Sequence, residues 1–338
     1  MNNFRYPAIL VIIVGLILGL AVLSRKQDQS QPEIQVNENP LTISAMRQKT
    51  YPGSDLVIEK TLSPGSNYNQ YIASYQSEGL KIYGLLTVPM GPKPQDGWPV
   101  IIFNHGYIPP EVYKTTERYV AYVDAFAKNG YIVFKPDFRG NGNSEGQPEG
   151  AYYSPAYATD ALNALASVKR YKDANPGKIG MWGHSMGGNI TLRDIVVDTK
   201  DIKAAVIWGG VVGSYDDLIN NWQQKASYHP GPRELALRNS SRQTLIDTYG
   251  PPQTNSQFWQ TIDPTYRLAD ITTPIQLHTG GNDEEVPVDF STSLEQKLKQ
   301  AGKTVEYYNY PGGNHNISSP NFDLAMQRSI DFFNKYLK

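Results

Sequence analysis

The chain has 338 residues, 40% of them hydrophobic, and 31 basic against 32 acidic residues leave a net charge of −1. This length suffices for a large α/β domain with its own core, and the balanced charge excludes the electrostatic footprint of a nucleic-acid-binding protein. The chain contains no cysteine, which excludes disulfides, thiolate metal sites and cysteine nucleophiles.

An apolar run of 17 residues, Pro7–Leu23, lies near the amino terminus with basic residues on both sides. Its length is at the short end for a helix that spans a bilayer, so we predict that residues 1–26 form a signal anchor or a signal peptide. The lack of a small residue at the end of a cleavage site favours the uncleaved anchor, while a cleaved signal and a buried core helix are the alternatives. We therefore expect a membrane-anchored, extracytoplasmic protein, or a secreted one if the segment is cleaved.

The segment that follows the apolar run changes in character. Residues 27–40 are rich in Gln, Asn, Glu and Pro, which predicts a flexible stalk ahead of a globular domain at 41–338. Within that domain, Tyr68–Tyr75 and Leu80–Pro89 are rich in residues that favour strands and are separated by a short polar turn. They predict an amino-terminal antiparallel hairpin.

Short apolar runs then alternate with segments of helical length. Such continuous runs are typical of strands buried on both faces of a parallel sheet, and here they are Val100–Asn104, Tyr131–Lys135, Ile179–Trp182, Ala204–Trp208 and Ile275–His278. The predicted helices are Glu117–Asn129, Ala156–Tyr171, Met186–Asp198 and Phe290–Ala301, and Thr304–Tyr310 is a last strand. The alternation predicts an α/β protein with a mostly parallel, doubly wound sheet.

One connection in this pattern is unusually long. The interval 213–273 contains Trp222, Trp259 and a helical patch at Arg233–Arg238, whereas loops between neighbouring strands usually have about 2–6 residues. We predict that this insertion is a helical cap over the active site. A peripheral decoration without a role in substrate binding is the alternative.

The sequence Gly-His-Ser-Met-Gly at 183–187 lies between the predicted strand Lys178–Trp182 and a predicted helix. That context is typical of a nucleophile elbow, in which a tight turn presents a serine hydroxyl at the carboxyl end of a sheet. The two glycines leave room where a Cβ would collide with neighbouring backbone. Ser185 is therefore the candidate nucleophile.

A serine hydroxyl needs a base within hydrogen-bond reach and a third group that orients the base. Asp283 follows the predicted strand Ile275–His278, and His315 follows the last predicted strand. Because the carboxyl ends of parallel strands share one edge of the sheet, we expect both side chains to approach Ser185. The chain order Ser, Asp, His is that of the α/β-hydrolase fold.

Other residues compete for these roles or are assigned to structure. Glu284, Glu285 and Asp289 are rival acids, but the pattern Asp-x-x-Val-Pro favours Asp283. Of the remaining histidines we expect structural roles for His184, His229 and His278.

The oxyanion that forms during attack requires hydrogen-bond donors that are already in place. We predict the backbone N–H of Met186 as one donor and Tyr107, through its N–H or its hydroxyl, as the other; a purely packing role for Tyr107 is the alternative. Gly106 lets the loop of Tyr107 approach closely. The segment Asp137–Ser144 contains no lysine and is interpreted as structural rather than phosphate-binding.

Taken together, the hairpin, the elbow and the patterns Asp-x-Arg-Gly-x-Gly-x-Ser, Gly-x-x-Asp-x-x-Val-Pro and Gly-x-x-His resemble the catalytic domain of the prolyl-oligopeptidase family of serine hydrolases over Tyr68–Lys338. The resemblance implies an α/β-hydrolase fold and an acyl-enzyme mechanism. Peptidases of that family usually carry a β-propeller as well, for which the stretch before the hairpin is too short.

We therefore expect a cofactor-free serine hydrolase that acts on a small-molecule ester or a short peptide. A carboxylesterase without peptidase activity and a non-catalytic α/β-hydrolase-like binding protein are the alternatives. Metal-dependent hydrolysis is disfavoured, because the sequence has no His-Glu-x-x-His or other cluster with metal-ligand spacing. We expect no nucleic-acid partner, and the sequence does not indicate an oligomeric state.

Overall fold

The computed structural model describes residues 38–222 and 232–338, and the compact unit within it extends from Asn39 to Lys338. The predicted anchor at 1–26 and most of the predicted stalk at 27–40 lie outside the described residues, as does His229. In the part of the chain that is described, no helix has both the length and the apolar character needed to cross a bilayer.

The strands of the described residues form a single sheet. They are β1 (Val57–Thr61), β2 (Tyr68–Ser77), β3 (Leu80–Pro89), β4 (Trp98–Asn104), β5 (Ile132–Pro136), β6 (Ala174–His184), β7 (Ile202–Trp208), β8 (Ile275–Gly280) and β9 (Val305–Tyr310). Their order is β1-β2-β3-β5-β4-β6-β7-β8-β9. The pairs β1–β2, β2–β3 and β3–β5 are antiparallel, and every pair from β5 to β9 is parallel. The predicted mostly parallel sheet with an amino-terminal hairpin is confirmed.

The helices of the described residues are α1 (Ile43–Gln48), α2 (Val120–Lys128), α3 (Ala156–Val168), α4 (Met186–Val197), α5 (Pro232–Tyr249), α6 (Ser256–Ile262), α7 (Val288–Gln300) and α8 (Phe322–Leu337). Apolar residues of α3, α4 and α7 pack on one face of the sheet, and those of α2 and α8 pack on the other. Strands β4, β5 and β8 are buried along nearly their whole length. Helices on both faces explain why these strands read as continuous apolar runs.

The first residues of the compact unit, residues 39–54, are called the strap here. Leu41 packs with residues of the insertion in one buried cluster. The Arg47 guanidinium donates to the carbonyl of Val196, near the end of α4, at 2.7 Å and forms an ion pair with Asp270 at 2.9 Å. Further along, the Gly53 N–H donates to a side chain of α3 at 2.8 Å. The strap therefore contacts α3, α4 and the insertion.

The insertion at 213–273 is described except for residues 223–231. It contains α5 and α6, and the predicted helical patch Arg233–Arg238 lies within the longer α5. Tyr215, Leu245, Trp259 and Ile262 form its buried cluster. This small core, which Leu41 of the strap completes, gives the long connection a packed interior.

Candidate active site

The candidate nucleophile lies in a sharp turn between β6 and α4. Ser185 joins the two elements directly, with a φ of +54° that non-glycine residues rarely adopt. A Cβ at Gly183 would collide with the backbone of Gly187, and a Cβ at Gly187 would collide with the carbonyl of Asn104. Glycine at both positions is therefore a steric requirement of this turn.

A carboxylate and an imidazole meet at the carboxyl edge of the sheet. Asp283 follows β8, His315 follows β9, and His315 Nδ1 lies 3.0 Å and 2.8 Å from the two carboxylate oxygens. The Asp283 side chain has no exposed surface, and that of His315 is 10% exposed. An Nδ1–H that donates to a buried carboxylate leaves the lone pair on Nε2, which is the form that a general base requires.

Backbone amides fix the orientation of this carboxylate. Asp283 Oδ1 accepts hydrogen bonds from the N–H groups of Glu285 and Val286, both at 2.9 Å. A Cβ at Gly209, after β7, would come within 3.1 Å of His315 Nδ1 and 3.2 Å of Asp283 Oδ2. The backbone after β7 therefore packs directly against the pair and limits its movement.

The rival acids take other positions. Glu284 is exposed, and its carboxylate accepts a hydrogen bond from the backbone N–H of His315 at 3.3 Å. Asp289 lies in the first turn of α7. The carboxylate that meets the His315 ring is that of Asp283.

The predicted oxyanion donors lie next to Ser185. Met186 begins α4, where the first amides of a helix have no partner within the helix. Tyr107 follows β4, and a Cβ at the preceding Gly106 would lie only 3.2 Å from Ser185 Cβ. Backbone amides in this arrangement are able to meet an oxygen bound beside the hydroxyl.

Ser185 and His315 line the same cavity, which has a volume of about 440 Å³. Met186 and Tyr107 are also in its wall. The structure thus brings four of the five predicted site residues to one cavity and holds the fifth, Asp283, behind His315. The catalytic roles of these residues stay predictions.

The rest of the cavity wall is rich in aromatic side chains and has more acidic than basic groups. Of the described residues that line it, seven are aromatic, six tyrosines and Trp222. The charged residues in the wall are Arg118, Glu149, Glu284 and Glu285. Trp222 and Ser241 come from the insertion, so this segment contributes to the cavity. The indole of Trp222 donates to the carbonyl of Glu285 at 2.8 Å and thereby joins the insertion to the loop of Asp283.

Buried polar groups hold the loop between β4 and α2 in place. Asp137 accepts a hydrogen bond from the Tyr113 hydroxyl at 2.7 Å and another from Thr115. Burial raises the pKa of Asp137 to about 6. The His105 Nδ1 bonds to the carbonyl of Gly106 at 2.7 Å, and burial lowers the pKa of His105 to about 3. A neutral imidazole and a buried carboxyl group therefore support the backbone that carries Tyr107.

Arg139 fixes the loop that forms another part of the wall. Its guanidinium bonds the buried Asp160 carboxylate at 2.7–3.2 Å and the Glu78 carboxylate, in the β2–β3 turn, at 2.7 Å. The segment Asp137–Ser144 thus ties the hairpin to α3, which agrees with a structural role.

The chain matches two family models of hydrolases. Residues 98–233 match the model described as serine aminopeptidase, S33, and residues 236–338 match that of the prolyl oligopeptidase family. Both matches cover segments that carry predicted site residues. The chain is a serine hydrolase with the α/β-hydrolase fold. The predicted resemblance to prolyl-oligopeptidase catalytic domains is confirmed.

Proteins similar to the hydrolase in sequence or fold include peptidases and an esterase. The uncharacterized peptidase YtmA of Bacillus subtilis is 26% identical over 262 residues, which are 77% of this chain and 92% of that protein. The acylaminoacyl peptidase of Pyrococcus horikoshii has a TM-score of 0.63 at 20% identity, with 81% of this chain and 42% of that chain covered. The acetyl xylan esterase of a Paenibacillus species has a TM-score of 0.62 at 19% identity, with 87% and 92% covered. The chain spans less than half the length of the peptidase structures it matches first, 36% to 42% of each, whereas it spans nearly all of YtmA and of the esterase.

Several residues of the cavity wall were not found from the sequence. Tyr119 and Tyr122 line the cavity although they lie at the start of α2, and no sequence signal distinguishes them among 23 tyrosines. His184 was assigned to packing, yet both of its ring nitrogens are hydrogen-bonded to groups of neighbouring loops. Within residues 38–222 and 232–338, no group of three His, Asp or Glu side chains is placed to hold a metal ion.

Proposed function

We propose that the hydrolase cleaves compact carboxylic esters and short peptides through an acyl-enzyme formed on Ser185. The observation that supports this most strongly is that Ser185 and an Asp283-bonded His315 line one cavity. A hydroxyl, an imidazole in the tautomer of a base, and backbone amides beside them are the components that acyl transfer requires.

The proposed reaction has two halves. In the first, Ser185 Oγ attacks the substrate carbonyl carbon, His315 Nε2 takes the hydroxyl proton, and the amides of Met186 and Tyr107 donate to the oxyanion. The carbon–leaving-group bond then breaks while His315 returns the proton to the departing oxygen or nitrogen. In the second half, water attacks the acyl-enzyme with His315 again as base, and the acid product leaves with Ser185 restored.

The cavity wall supports a preference for neutral, apolar substrates. Its volume of about 440 Å³ is at the small end of the usual 300–1,000 Å³ range for ligand pockets. Seven aromatic residues favour an aromatic or apolar group next to the scissile carbonyl. Three glutamates against one arginine in the wall disfavour anionic substrates.

Covalent labelling tests the proposed nucleophile. A fluorophosphonate probe, applied to a fragment that begins at Gln27, should label Ser185, with the site assigned by peptide mass spectrometry. Ser185→Ala should abolish the label and lower kcat for aryl esters by about 10⁶-fold. Ser241→Ala is the matched control, because this serine lines the same cavity, and it should retain the label. Adduct on a different serine, or full turnover in Ser185→Ala, would contradict the proposal.

A substrate panel tests the proposed preference. We expect para-nitrophenyl esters with benzoyl-type or short alkyl acyl groups to have higher kcat/KM values than esters with a succinyl acyl group. Aminoacyl para-nitroanilides, compared with esters of the same acyl group, measure how well His315 protonates a nitrogen leaving group. Equal kcat/KM values for neutral and anionic acyl groups would show that the charges of the wall do not select substrates.

We also propose that residues 1–26 hold the enzyme at a membrane with the catalytic domain outside the cytoplasm. The support for this is the apolar run Pro7–Leu23 between basic residues. Full-length protein should stay in the membrane pellet after alkaline carbonate washing, and protease added to spheroplasts should reach the catalytic domain. Protein released in soluble form with a new amino terminus would instead identify a cleaved signal peptide.

A further inference from the structure

A chain of hydrogen bonds joins three loops of the active site through two side chains that the mechanism above does not use. The N–H of Gly106 donates to the Tyr119 hydroxyl at 2.9 Å, and that hydroxyl lies 2.7 Å from His184 Nδ1. The other ring nitrogen, His184 Nε2, lies 3.1 Å from the backbone carbonyl of His315. The loop of Tyr107, the elbow and the loop of the base are therefore linked directly.

The donors and acceptors of this chain allow only one assignment. The carbonyl of His315 accepts only, so His184 Nε2 must carry the proton, and a neutral His184 then has its lone pair on Nδ1. The Tyr119 oxygen accepts from Gly106 and donates its own proton to that lone pair. Burial, and to a smaller extent the charge of His315, lowers the pKa of His184 to about 3. The ring is therefore neutral at the pH values at which a serine hydrolase works.

The backbone that presents Tyr119 is strained. Arg118 and Tyr119 have φ values of +58° and +53°, and Tyr119 immediately precedes α2. Non-glycine residues in this region are energetically unfavourable, and such strain persists where surrounding contacts enforce it. The Tyr119 ring packs edge-on against Phe103 and Trp182, with centroids 5.5 Å and 6.2 Å apart. These contacts hold the hydroxyl where both of its hydrogen bonds form.

The hydrogen bond from the Gly106 N–H to Tyr119 restricts a flexible part of the backbone. Glycine has the widest backbone freedom, and the peptide unit between Gly106 and Tyr107 carries the predicted oxyanion donor. A bond to the Gly106 N–H restricts that freedom on one side of the peptide unit. The His184 bond to the His315 carbonyl restricts the backbone of the base in the same way.

We propose that Tyr119 and His184 are positioning residues. They hold the loop of Tyr107 and the ring of His315 in the correct places relative to Ser185. The proposal rests on the proposed function, because it assigns a role in the same acyl-transfer reaction. Neither side chain reacts with the substrate in that reaction. Their effect is on the placement of the Tyr107 amide and the His315 ring, and is therefore largest in the transition state.

The first test removes the hydroxyl and keeps the ring. Tyr119→Phe should lower kcat for a para-nitrophenyl ester by about 10- to 100-fold, with KM changed by less than about twofold. Rates are expressed per active site, counted by the end point of fluorophosphonate labelling. The affinity for a trifluoromethyl ketone, which forms a tetrahedral adduct with the serine, should fall by the same factor as kcat/KM. A merely structural role would lower the number of active sites and leave this affinity unchanged.

The second test separates the two bonds of His184. In His184→Gln the amide nitrogen can replace Nε2 and keep the bond to His315, whereas in His184→Asn the amide oxygen can replace Nδ1 and keep the bond to Tyr119. Adding Tyr119→Phe to His184→Gln should cost less than the single-variant factor, because the bond between Tyr119 and residue 184 is already lost and only the bond to Gly106 remains to be removed. Adding it to His184→Asn should cost nearly its full single-variant factor.

The matched control is Tyr131→Phe. The Tyr131 ring is buried and its hydroxyl bonds Asn334 at 2.8 Å, away from the cavity. This variant should keep wild-type kcat, KM and ketone affinity. A Tyr119→Phe enzyme within twofold of wild type per labelled site, or one with altered KM and unaltered ketone affinity, would overturn the positioning role. If wild-type Ser185 is neither labelled nor active, the proposed function fails instead.

Discussion

Exchange of Asp283 for asparagine is the sharpest test of the proposed base. The two backbone N–H groups that bond Oδ1 require an acceptor at that position, so the amide oxygen of Asp283→Asn should take the place of Oδ1. The amide nitrogen then takes the place of Oδ2, which lies 2.8 Å from His315 Nδ1. The nearest group to Nδ1 is then a donor, at the 2.8 Å position against 3.0 Å for the amide oxygen, which favours the imidazole tautomer with its proton on Nε2.

The size of the effect follows from the cost of the alternatives. Turning the amide around would leave two buried N–H groups without acceptors, at about 1–3 kcal/mol each, so the reversed amide would be populated at a few per cent or less. With a proton on Nε2, His315 cannot accept the proton of Ser185. We expect kcat to fall by about 10⁴-fold, as the same exchange does in other triads, which corresponds to about 5 kcal/mol in the barrier.

The assay compares three variants on one aryl ester with active sites counted by labelling. Asp283→Asn should be at least as impaired as Asp283→Ala, although asparagine is closer in shape to the native residue, because only the amide enforces the wrong tautomer. Glu284→Gln is the control, since its amide oxygen can still accept from the His315 backbone, and it should stay within about threefold of wild type. An Asp283→Asn enzyme within tenfold of wild type would refute the reasoning.

Three further predictions concern the surroundings of the site. Gly187→Ala should prevent stable folding, because the added Cβ meets backbone that has no room to move; a wild-type melting temperature would contradict this. Trp222→Phe removes the hydrogen bond from the indole to the Glu285 carbonyl, worth about 1 kcal/mol, and should lower kcat/KM about fivefold. Unchanged kinetics would show that the insertion does not stabilise the loop of Asp283. The pKa of His105 is about 3 in the native state against 6.5 ordinarily, so protonation below pH 6.5 favours the unfolded chain. Between pH 6.5 and 4.5 the unfolding free energy of wild type should therefore fall by about 2–3 kcal/mol more than that of His105→Asn. Parallel pH dependences of the two proteins in urea titrations would exclude this role for His105.

The sequence predicted well the features that depend on local pattern. The parallel strands are buried on both faces, and their apolar runs identified them directly. The elbow needs glycine on both sides of Ser185 for steric reasons, and those glycines are visible in the sequence. Because Asp283 and His315 each follow a strand, sheet topology alone indicated that they would meet.

The features that were not predicted depend on tertiary contacts or lack a pattern. Strand β1 is exposed along its length and has no alternation of apolar and polar residues. Helix α8 was not among the predicted elements, although Met326, Ile330 and Phe333 recur at helical spacing and are buried against the sheet. Tyr119 depends on a strained backbone and on a partner 65 residues away, and neither is visible in the sequence.

The strap at 39–54 has a practical consequence for anyone who shortens the chain. The strap joins two parts of the domain, because Leu41 packs with the insertion and Arg47 bonds to the end of α4. A truncation that extends past Arg47 would remove both contacts and weaken the packing of the insertion against α4. An expression boundary placed at or before residue 38 keeps the contacts of Leu41 and Arg47.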